Sequence, residues 1–303
     1  MADRLPSPLV SVDDLARRLD DPDTIVVDVR WYLGRPGDGQ AAYDAGHVPG
    51  AIHLDLDGDL ADLAGLGAPG RHPLPDPAAF AAHLGAAGIG DETFVVAYDD
   101  AGGWVAARLW WMLDNLGHRG GEAVLDGGWQ AWLAAGRPTT TDVPRRATRR
   151  LTLAPAWTNV LARDELAGRL GELTLLDARA APRYRGEMEP IDPIAGHIPT
   201  ALSAPWDGNV GPDGRFLPAE ALRSRVEALR AASPAGGAAP VVTYCGSGTS
   251  ACHHSLAMRL AGLPDPILYA GSYSDWSRSG MPIATGADPG TPPPGLPERG
   301  SAR

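Results

Sequence analysis

A chain of 303 residues exceeds the usual size of one hydrophobic core, and its 44% hydrophobic residues are enough for two soluble globular domains. The formal net charge of -11 argues against nucleic acid and anionic membrane surfaces as partners, because both require basic patches. All 26 basic residues are arginines, which excludes Schiff-base chemistry on lysine and the phosphate-binding lysine of a P-loop.

The amino-terminal residues carry charges throughout and contain no apolar run suited to a signal peptide, and no stretch approaches a membrane span. Two cysteines, Cys245 and Cys252, are too few for a disulfide framework in a protein of this size. We therefore expect reduced thiols, a cytoplasmic location and no membrane partner.

The first half of the chain begins with a helix predicted after Ser11, a typical N-cap residue with acidic residues just behind it. Short apolar runs follow at 25–30 and 94–100, with the segment AGHVPGAIHLD at 45–55 between them. A helical pattern follows the second run, and a further run with its helix closes this half at 123–138. Short strands that alternate with helices indicate a parallel sheet covered by helices on both faces.

The second half repeats this order at a separation of about 150 residues, which is typical of duplicated domains. The run at 173–179 ends in Asp and Arg, as the run at 25–30 does, and AGHIPTALSAP occupies 195–205. VVTYCGS at 241–247 corresponds to FVVAYDD, and a last strand and helix are predicted in 267–282. The sequence therefore predicts an α/β protein with two tandem domains, each a parallel sheet flanked by helices.

The domains are predicted at 1–145 and 146–284. Residues 139–157 are polar, rich in arginine and without a clear period, which is typical of a linker. Thr158 is predicted to be the N-cap of the next helix. The tail at 285–303 is rich in Pro and Gly and is predicted to be disordered.

The strand predicted after Pro240 runs directly into the loop Cys-Gly-Ser-Gly-Thr-Ser at 245–250 and then into a helix. Two glycines let the loop curl so that successive N–H groups point inward, and the helix dipole adds partial positive charge. Such a cradle stabilises an anion, and the thiolate of Cys245 is the anion closest to it. We interpret Cys245 as an activated nucleophile, and the alternative is an inert buried cysteine. The first half has Asp99 at this position, so its domain is expected to be catalytically inactive.

These motifs resemble the tandem rhodanese family over about residues 10–283, in VVDVRWYLG, HVPGAIHLD, VLDGGWQAWL, LLDARAAPRYRGEMEP, AGHIPTA and CGSGTSAC. The Cys-Gly-Ser-Gly loop is most similar to the 3-mercaptopyruvate sulfurtransferase branch. The resemblance implies that Cys245 carries sulfane sulfur as a persulfide and passes it to a thiophilic acceptor, such as cyanide, a thiol or a thioredoxin-like reductant. It implies no metal and no organic cofactor.

Arg183 resembles the substrate-binding arginine of the family, because it stands before an aromatic residue in RYRGE. Its guanidinium could hold a carboxylate bidentately. The branch often has a second arginine shortly afterwards, where this chain has Ile191. Since the loop itself has no cation for a dianion, we expect 3-mercaptopyruvate to be the preferred donor, with thiosulfate as the alternative. The predicted substrate-binding residues are Arg183, Gly246, Ser247, Gly248 and Thr249.

The 3-mercaptopyruvate branch also resembles a hydrolase, since it sets a loop serine near a histidine and an aspartate of the first domain. We match these residues to Ser250, His47 and Asp38, and the histidine could supply the proton that an enol-pyruvate leaving group needs. Both repeats carry a histidine in Gly-His-(Val/Ile)-Pro, at His47 and His197, so a structural role in the turn is the alternative.

Two other classes of protein are less compatible with the sequence. A cysteine phosphatase requires an arginine six residues after the cysteine, and that position is Ala251. A non-catalytic rhodanese-like binding module would be favoured only if both halves lacked the thiol. No second ligand pair at zinc spacing accompanies Cys252, His253 and His254, so no metal site is predicted.

Overall fold

The computed structural model describes residues 7–62 and 70–294, which form two compact units. Each unit combines most of one half of the chain with one short segment from the other half. The described residues are 7–62, 74–158 and 210–216 in unit 1, and 70–73, 159–209 and 217–294 in unit 2. We refer to residues 70–73 as arm 1 and to Val210–Phe216 as arm 2. None of the helices in the described residues combines the length and apolarity needed to cross a membrane.

Unit 1 contains a sheet of five parallel strands. They are β1 (Leu9–Val10), β2 (Thr24–Asp28), β3 (Ile52–His53), β4 (Phe94–Tyr98) and β5 (Glu122–Leu125). Their order across the sheet is β1-β5-β4-β2-β3, and all residues of the inner strands β2 and β4 are buried. Strands buried on both faces need apolar side chains on both, which explains the continuous apolar runs in the sequence.

Within the described part of unit 1, five helices accompany this sheet. They are α1 (Val12–Arg18), α2 (Asp38–Ala45), α3 (Pro77–Ala86), α4 (Ala106–Asn115) and α5 (Gly128–Ala134). The predicted N-cap is confirmed, because Oγ of Ser11 accepts a hydrogen bond of 3.1 Å from the backbone N–H of Asp14.

Unit 2 repeats the architecture. Its strands are β6 (Val160–Leu161), β7 (Thr174–Asp177), β8 (Leu202–Ser203), β9 (Val241–Tyr244) and β10 (Ile267–Tyr269), in the order β6-β10-β9-β7-β8 and all parallel. Its helices are α6 (Arg163–Ala167), α7 (Ala181–Tyr184), α8 (Ala219–Ala231), α9 (Ala251–Leu260) and α10 (Ser272–Trp276), with a 3₁₀ turn at Trp206–Asn209. Because each strand has its counterpart at the same place in the other sheet, the predicted duplicated α/β fold is confirmed.

The structure moves the boundary between the domains from the predicted position near 145 to residue 158. The residues predicted to form a linker lie on unit 1, where the N–H of Arg149 donates to the carbonyl of Gly85 at 2.9 Å. Trp157 stacks on Trp111 with ring centroids 5.7 Å apart. These contacts stabilise a segment whose sequence has no period, so periodicity alone did not reveal its packing.

Two further expectations change in unit 2. Thr158 caps no helix, because the next residues form β6, which pairs with β10, and α6 begins only at Arg163. Part of the tail predicted to be disordered is bound, since the N–H of Gly286 donates to Arg185 and that of Thr200 donates to Pro289. Residues 295–303 of the predicted tail lie outside the described residues.

Candidate active site

The loop between β9 and α9 curls around the sulfur of Cys245. The backbone N–H of Gly248 points at Sγ from 3.1 Å, and that of Ser247 from 3.5 Å. The thiol group is enclosed, with Cys245 only 2% exposed. Two N–H donors on one sulfur, next to the N-terminus of α9, form a cradle that can stabilise negative charge during a reaction.

Glycine is required at one position of this loop. Gly248 has φ of +83°, in the left-handed region, and a Cβ there would lie 2.4 Å from the carbonyl oxygen of Ala270. The loop is also fixed from its other side, because the carbonyl of Cys245 accepts a hydrogen bond from Tyr273 and that of Gly246 accepts one from Ser274. The cradle is therefore rigid before any donor arrives.

Arm 1 brings a histidine to this loop. Nδ1 of His72 lies 2.7 Å from Oγ of Ser247 and 3.5 Å from Oγ1 of Thr249, and all three residues are buried. The arm is held by its own main chain, since the N–H of Arg71 donates to Oγ of Ser274 at 3.0 Å. An imidazole in hydrogen-bond contact with a hydroxyl, two residues from a nucleophilic thiol, can exchange a proton with a bound reactant.

The other predicted loop residues have different surroundings. Ser250 is the N-cap of α9, and its side chain makes no capping hydrogen bond. Gly246 leaves space that two guanidinium groups occupy: a Cβ there would lie 2.8 Å from Nη2 of Arg71 and 3.4 Å from Nη1 of Arg183. The loop itself has no cation, as predicted, but two cations lie beside it.

Arg183 occupies the C-terminal turn of α7 and pairs with two carboxylates. Its Nε and Nη2 donate to Glu189 at 3.1 and 2.6 Å, and Nη2 also donates to Asp192 at 3.2 Å. Burial opposes ionisation of Glu189, but the hydrogen bonds from Arg183, Asp192 and Ile191 hold the pKa of that carboxyl below its usual range. The carboxylates fix the orientation of Arg183, and its Nη1 is the nitrogen nearest to Gly246.

His47 and Asp38 lie in unit 1, and the structure does not join them. Nδ1 and Nε2 of His47 contact the backbone carbonyls of Tyr43 and Asp142 at 2.8 and 3.2 Å. Asp38 is exposed and pairs with Arg35. These contacts favour a structural role for His47 rather than the predicted proton relay.

The histidine of the second repeat makes the same Nδ1 and stacking contacts, which strengthens this interpretation. Nδ1 of His197 contacts the carbonyl of Tyr184 at 2.9 Å, and its ring stacks on that tyrosine at 3.8 Å between centroids. His47 stacks on Tyr43 at the same centroid distance. A contact that recurs in both units, only one of which has the thiol, is explained by the shared turn.

The equivalent loop of unit 1, between β4 and α4, has the carboxylate of Asp99 in place of the thiol. Its two oxygens accept four backbone hydrogen bonds of 2.8 to 3.0 Å, from Ala101, Gly103, Val105 and Ala106. Burial raises the pKa of Asp99, and the four N–H groups act in the opposite direction. The Asp99 carboxylate therefore accepts the hydrogen bonds of the loop N–H groups, at the place where the loop of unit 2 surrounds Cys245.

Sequence reasoning did not identify His72 or Arg71 as site residues. A signal was available, because Gly-Arg-His at 70–72 and Gly-Arg-Phe at 214–216 are each followed closely by Leu-Pro. The two copies form part of the two arms, and they differ in having His72 or Phe216. This repeat would have drawn attention to His72, but it would not have shown that His72 packs with unit 2.

A duplicated parallel-sheet fold, with a thiol in one backbone cradle and a carboxylate in the other, defines a tandem-domain α/β protein that presents a cysteine at a strand-to-helix loop. The chain belongs to the rhodanese family, because the rhodanese-like domain profile matches residues 11–135 and 162–279. The predicted family is thus confirmed.

Known relatives include enzymes named for either donor. The chain is 46% identical over 281 residues to a probable 3-mercaptopyruvate sulfurtransferase of Pseudomonas aeruginosa, covering 92% of this chain and 98% of the relative. It is 38% identical over 276 residues to a putative thiosulfate sulfurtransferase, SseB, of Mycobacterium tuberculosis, covering 89% and 93%. Among solved structures, the 3-mercaptopyruvate sulfurtransferase from Leishmania major has a TM-score of 0.78 at 30% identity, covering 91% of this chain and 75% of that one.

Proposed function

We propose that the protein is a sulfurtransferase that moves sulfane sulfur from 3-mercaptopyruvate, through a persulfide on Cys245, to a thiophilic acceptor. One observation carries the proposal: the loop that directs two N–H groups at Sγ of Cys245 also holds the hydrogen bond between Ser247 and His72. The first feature provides a nucleophile, and the second provides a proton route beside it.

The proposed reaction has two steps. In the first, the Cys245 thiolate attacks the donor sulfur, an S–S bond forms, and the C–S bond breaks with its electron pair passing to the enolate of pyruvate. The thiol proton of the donor ends on the carbon that carried the sulfur, so the products are pyruvate and the persulfide. In the second step, the acceptor nucleophile takes the outer sulfur, and the Cys245 thiolate is the leaving group.

His72 and Ser247 would serve the first step. The enolate must gain a proton as it leaves, and a hydroxyl bonded to an imidazole can deliver one while the imidazole takes up the proton of the donor thiol. Burial of both side chains keeps water from competing for this transfer. Arg183, held in place by Glu189 and Asp192, would bind the donor carboxylate.

Thiosulfate is the second candidate donor. It transfers its outer sulfur to the thiolate and leaves as sulfite, which needs no proton, so the contact between His72 and Ser247 would have no role in that reaction. The observation that favours thiosulfate is the pair of guanidinium groups beside Gly246, which could face a dianion.

The acceptor is proposed by its chemistry alone. Cyanide would leave as thiocyanate, and a small thiol or a thioredoxin-like reductant would leave as a hydropersulfide. Both cysteines of the chain are free, as a persulfide carrier requires, and the predicted cytoplasmic location would keep them reduced.

Steady-state kinetics with both donors and one acceptor test the proposal. We expect kcat/KM for 3-mercaptopyruvate to exceed that for thiosulfate by about tenfold or more, a difference of about 1.4 kcal/mol in transition-state stabilisation. Mass spectrometry after incubation with the donor, before any acceptor is added, should find one extra sulfur on Cys245 and none on Cys252. A tenfold preference for thiosulfate would show that the donor assignment is wrong, and an unmodified Cys245 would refute the persulfide.

A further inference from the structure

A buried polar cluster lies behind the thiol loop and takes no part in the proposed reaction. Asn209, at the end of the 3₁₀ turn, faces His253 and His254 in the first turn of α9, and all three residues are at most 1% exposed. Nδ2 of Asn209 lies 3.2 Å from Nδ1 of each imidazole. Nε of Arg225, on α8, donates to Oδ1 of the same amide at 3.2 Å. Four polar side chains from three elements therefore share one hydrogen-bond network.

The donors and acceptors of this network require both imidazoles to be neutral. The amide group of Asn209 has two N–H protons and donates one to each Nδ1, so each Nδ1 must be the unprotonated nitrogen of its ring. Nε2 of His254 then carries the ring proton, which it donates to the carbonyl of Ala204 at 2.7 Å. A proton added at either Nδ1 would place two donors against each other, and the buried amide would lose an acceptor.

Arg225 prevents the network from adapting by rotation of the amide. If the amide of Asn209 turned over, its oxygen would face the imidazoles, but its NH₂ group would face the Nε–H of Arg225, which is also a donor. The guanidinium is held in place by a second hydrogen bond, from Nη2 to the carbonyl of Pro205 at 2.9 Å. The orientation of the amide is therefore fixed by Arg225.

The charges around the cluster also oppose protonation. Burial lowers the pKa of His254 to about 4, and the charge of Arg225 acts in the same direction. The hydrogen bond from Nε2 and the charge of Asp177, on β7, have the opposite effect but are outweighed. Asp207, on the 3₁₀ turn, acts on Arg225, and β9 presents the neutral Thr243 to α9. The folded cluster is therefore a poor site for a proton.

The backbone of Asn209 lies at the base of arm 2. Its carbonyl accepts a hydrogen bond of 2.9 Å from the N–H of Leu217, the residue that follows the arm. Between these two residues, Val210 and Phe216 pair as an antiparallel bridge, so arm 2 is a short hairpin whose base is closed at Asn209. A displacement of Asn209 therefore opens the base of the hairpin.

We propose that Asn209, His253 and His254 form an acid-sensitive lock, which holds the base of arm 2 closed while both imidazoles are neutral and releases it when either takes up a proton. In the open state the imidazoles reach water and bind protons with an ordinary pKa of about 6.5. Opening is therefore coupled to proton uptake, and the closed state loses stability as the pH falls below about 6.5. In acid, arm 2 becomes mobile while the sheet of unit 2 stays folded.

Hydrogen exchange followed by mass spectrometry tests the lock in the full chain. After correction for intrinsic exchange rates, we expect the protection of the peptide that covers arm 2 and Leu217 to fall at least about tenfold from pH 6 to pH 5, because opening takes up a proton. Peptides from β7 should stay protected at both pH values, which shows that unit 2 remains folded. NMR of the imidazole nitrogens should find the proton of His253 and of His254 on Nε2 at pH 7.

Asn209→Asp should reverse the pH dependence. The carboxylate has the shape of the amide and still accepts from Arg225, but it needs a proton on Nδ1, which His254 can supply while keeping its Nε2 hydrogen bond only when charged. We expect the protection of arm 2 in this variant to rise as the pH falls from 8 to 6.

Two further variants complete the test. Replacing both histidines together, His253→Asn and His254→Asn, keeps an oxygen as the acceptor at each Nδ1 and removes the titration, so the pH dependence should flatten. His83→Gln is the matched control, because His83 is 47% exposed on α3 and its loss should leave the fall unchanged.

Protection of arm 2 that stays constant between pH 6 and pH 5 would overturn the proposal. An equal fall in the double histidine variant would do the same, and so would a pH dependence of unchanged sign in Asn209→Asp. If the double variant does not fold, Asn209→Asp alone decides the result. No sulfur transfer enters these measurements, so the lock and the proposed function stand or fall separately.

Discussion

The loops that follow β4 and β9 have equivalent places in their sheets and differ in the anion that they hold. In unit 1, four N–H groups bind the carboxylate of Asp99, whose oxygens neither accept nor release sulfane sulfur. In unit 2, two N–H groups face the sulfur of Cys245, which can gain and lose a second sulfur atom. Similar loops therefore hold a carboxylate in one unit and a thiol in the other.

The arms extend this comparison. In unit 1, a Cβ on Gly103 would lie 3.5 Å from the ring of Phe216 in arm 2, and the N–H of Phe216 donates to Asp126. In unit 2, arm 1 places His72 in hydrogen-bond contact with Ser247. The two arms therefore bring different side chains to the two loops, an apolar ring in unit 1 and an imidazole in unit 2.

The largest expected effect comes from replacing the sulfur atom of Cys245. Cys245→Ser should lower sulfur transfer by at least about a thousandfold, because a hydroxyl is a far weaker nucleophile and carries no sulfane sulfur. Steady-state assays and mass spectrometry of the donor-treated protein measure this. Cys252→Ser is the control, since its thiol is buried on α9 and contacts the carbonyl of Gly248. Full activity of Cys245→Ser would remove the functional difference between the loops.

The carboxylate of unit 1 is expected to matter for stability alone. Asp99→Ala leaves four N–H groups in a buried loop without their acceptor, and we expect the free energy of unfolding to fall by about 4 kcal/mol. Urea denaturation measures the change, and Asp99→Asn, which keeps one carbonyl oxygen, should lose about half as much. Persulfide formation on Cys245 should continue in folded Asp99→Ala protein. Its loss there would mean that the unit 1 loop takes part in the reaction.

One substitution in arm 1 replaces its imidazole with the phenyl ring that arm 2 carries. His72→Phe gives arm 1 the ring that arm 2 has, and we expect kcat with 3-mercaptopyruvate to fall by about a hundredfold, the usual contribution of one proton-transfer group. Transfer from thiosulfate should change by no more than about threefold, because sulfite leaves without a proton. His72→Gln retains a hydrogen-bonding side chain and should behave in the same way. Equal losses with both donors would indicate that His72 only positions the loop.

The smallest effect concerns a buried position on the helix behind each loop, the fourth residue of each helix, which is Leu109 in α4 and His254 in α9. Nε2 of His254 donates to the carbonyl of Ala204 at 2.7 Å, and burial lowers its pKa to about 4 from an ordinary 6.5. Below about pH 6.5 this histidine binds a proton in the unfolded chain but stays neutral in folded unit 2. The free energy of unfolding therefore falls as the pH drops toward 4. The slope should reach about 1.4 kcal/mol per pH unit in urea titrations.

His254→Gln keeps an amide donor for Ala204 and cannot titrate in this range. It should flatten the pH dependence of unfolding between pH 6 and 5, even if it lowers stability at pH 7. Leu109 has no titratable group, so the equivalent position of unit 1 should add no slope. An unchanged slope in His254→Gln would show that other groups cause the acid sensitivity.

The sequence alone determined the fold class and was enough to predict Cys245 as the nucleophile. Apolar runs such as FVVAY and VVTY, each followed by a helical pattern, are local signals, because a strand buried on both faces must be apolar throughout. The duplication was visible because both copies retain the residues that their turns require, such as His47 and His197. Cys245 was identifiable because the strand, the glycines and the helix start that create its cradle are neighbours in the chain.

Only the tertiary structure decided which residues join Cys245 from a distance. His72 and Arg71 lie more than 170 positions earlier in the chain, in a segment that packs with unit 2 although it belongs to the first half. Sequence patterns report the local periodicity of burial. The unit against which an arm packs depends instead on contacts such as the hydrogen bond from Arg71 to Ser274. For this reason the sequence offered His47, either as a proton relay or as a structural residue of its turn, and the fold brought His72 to the thiol loop.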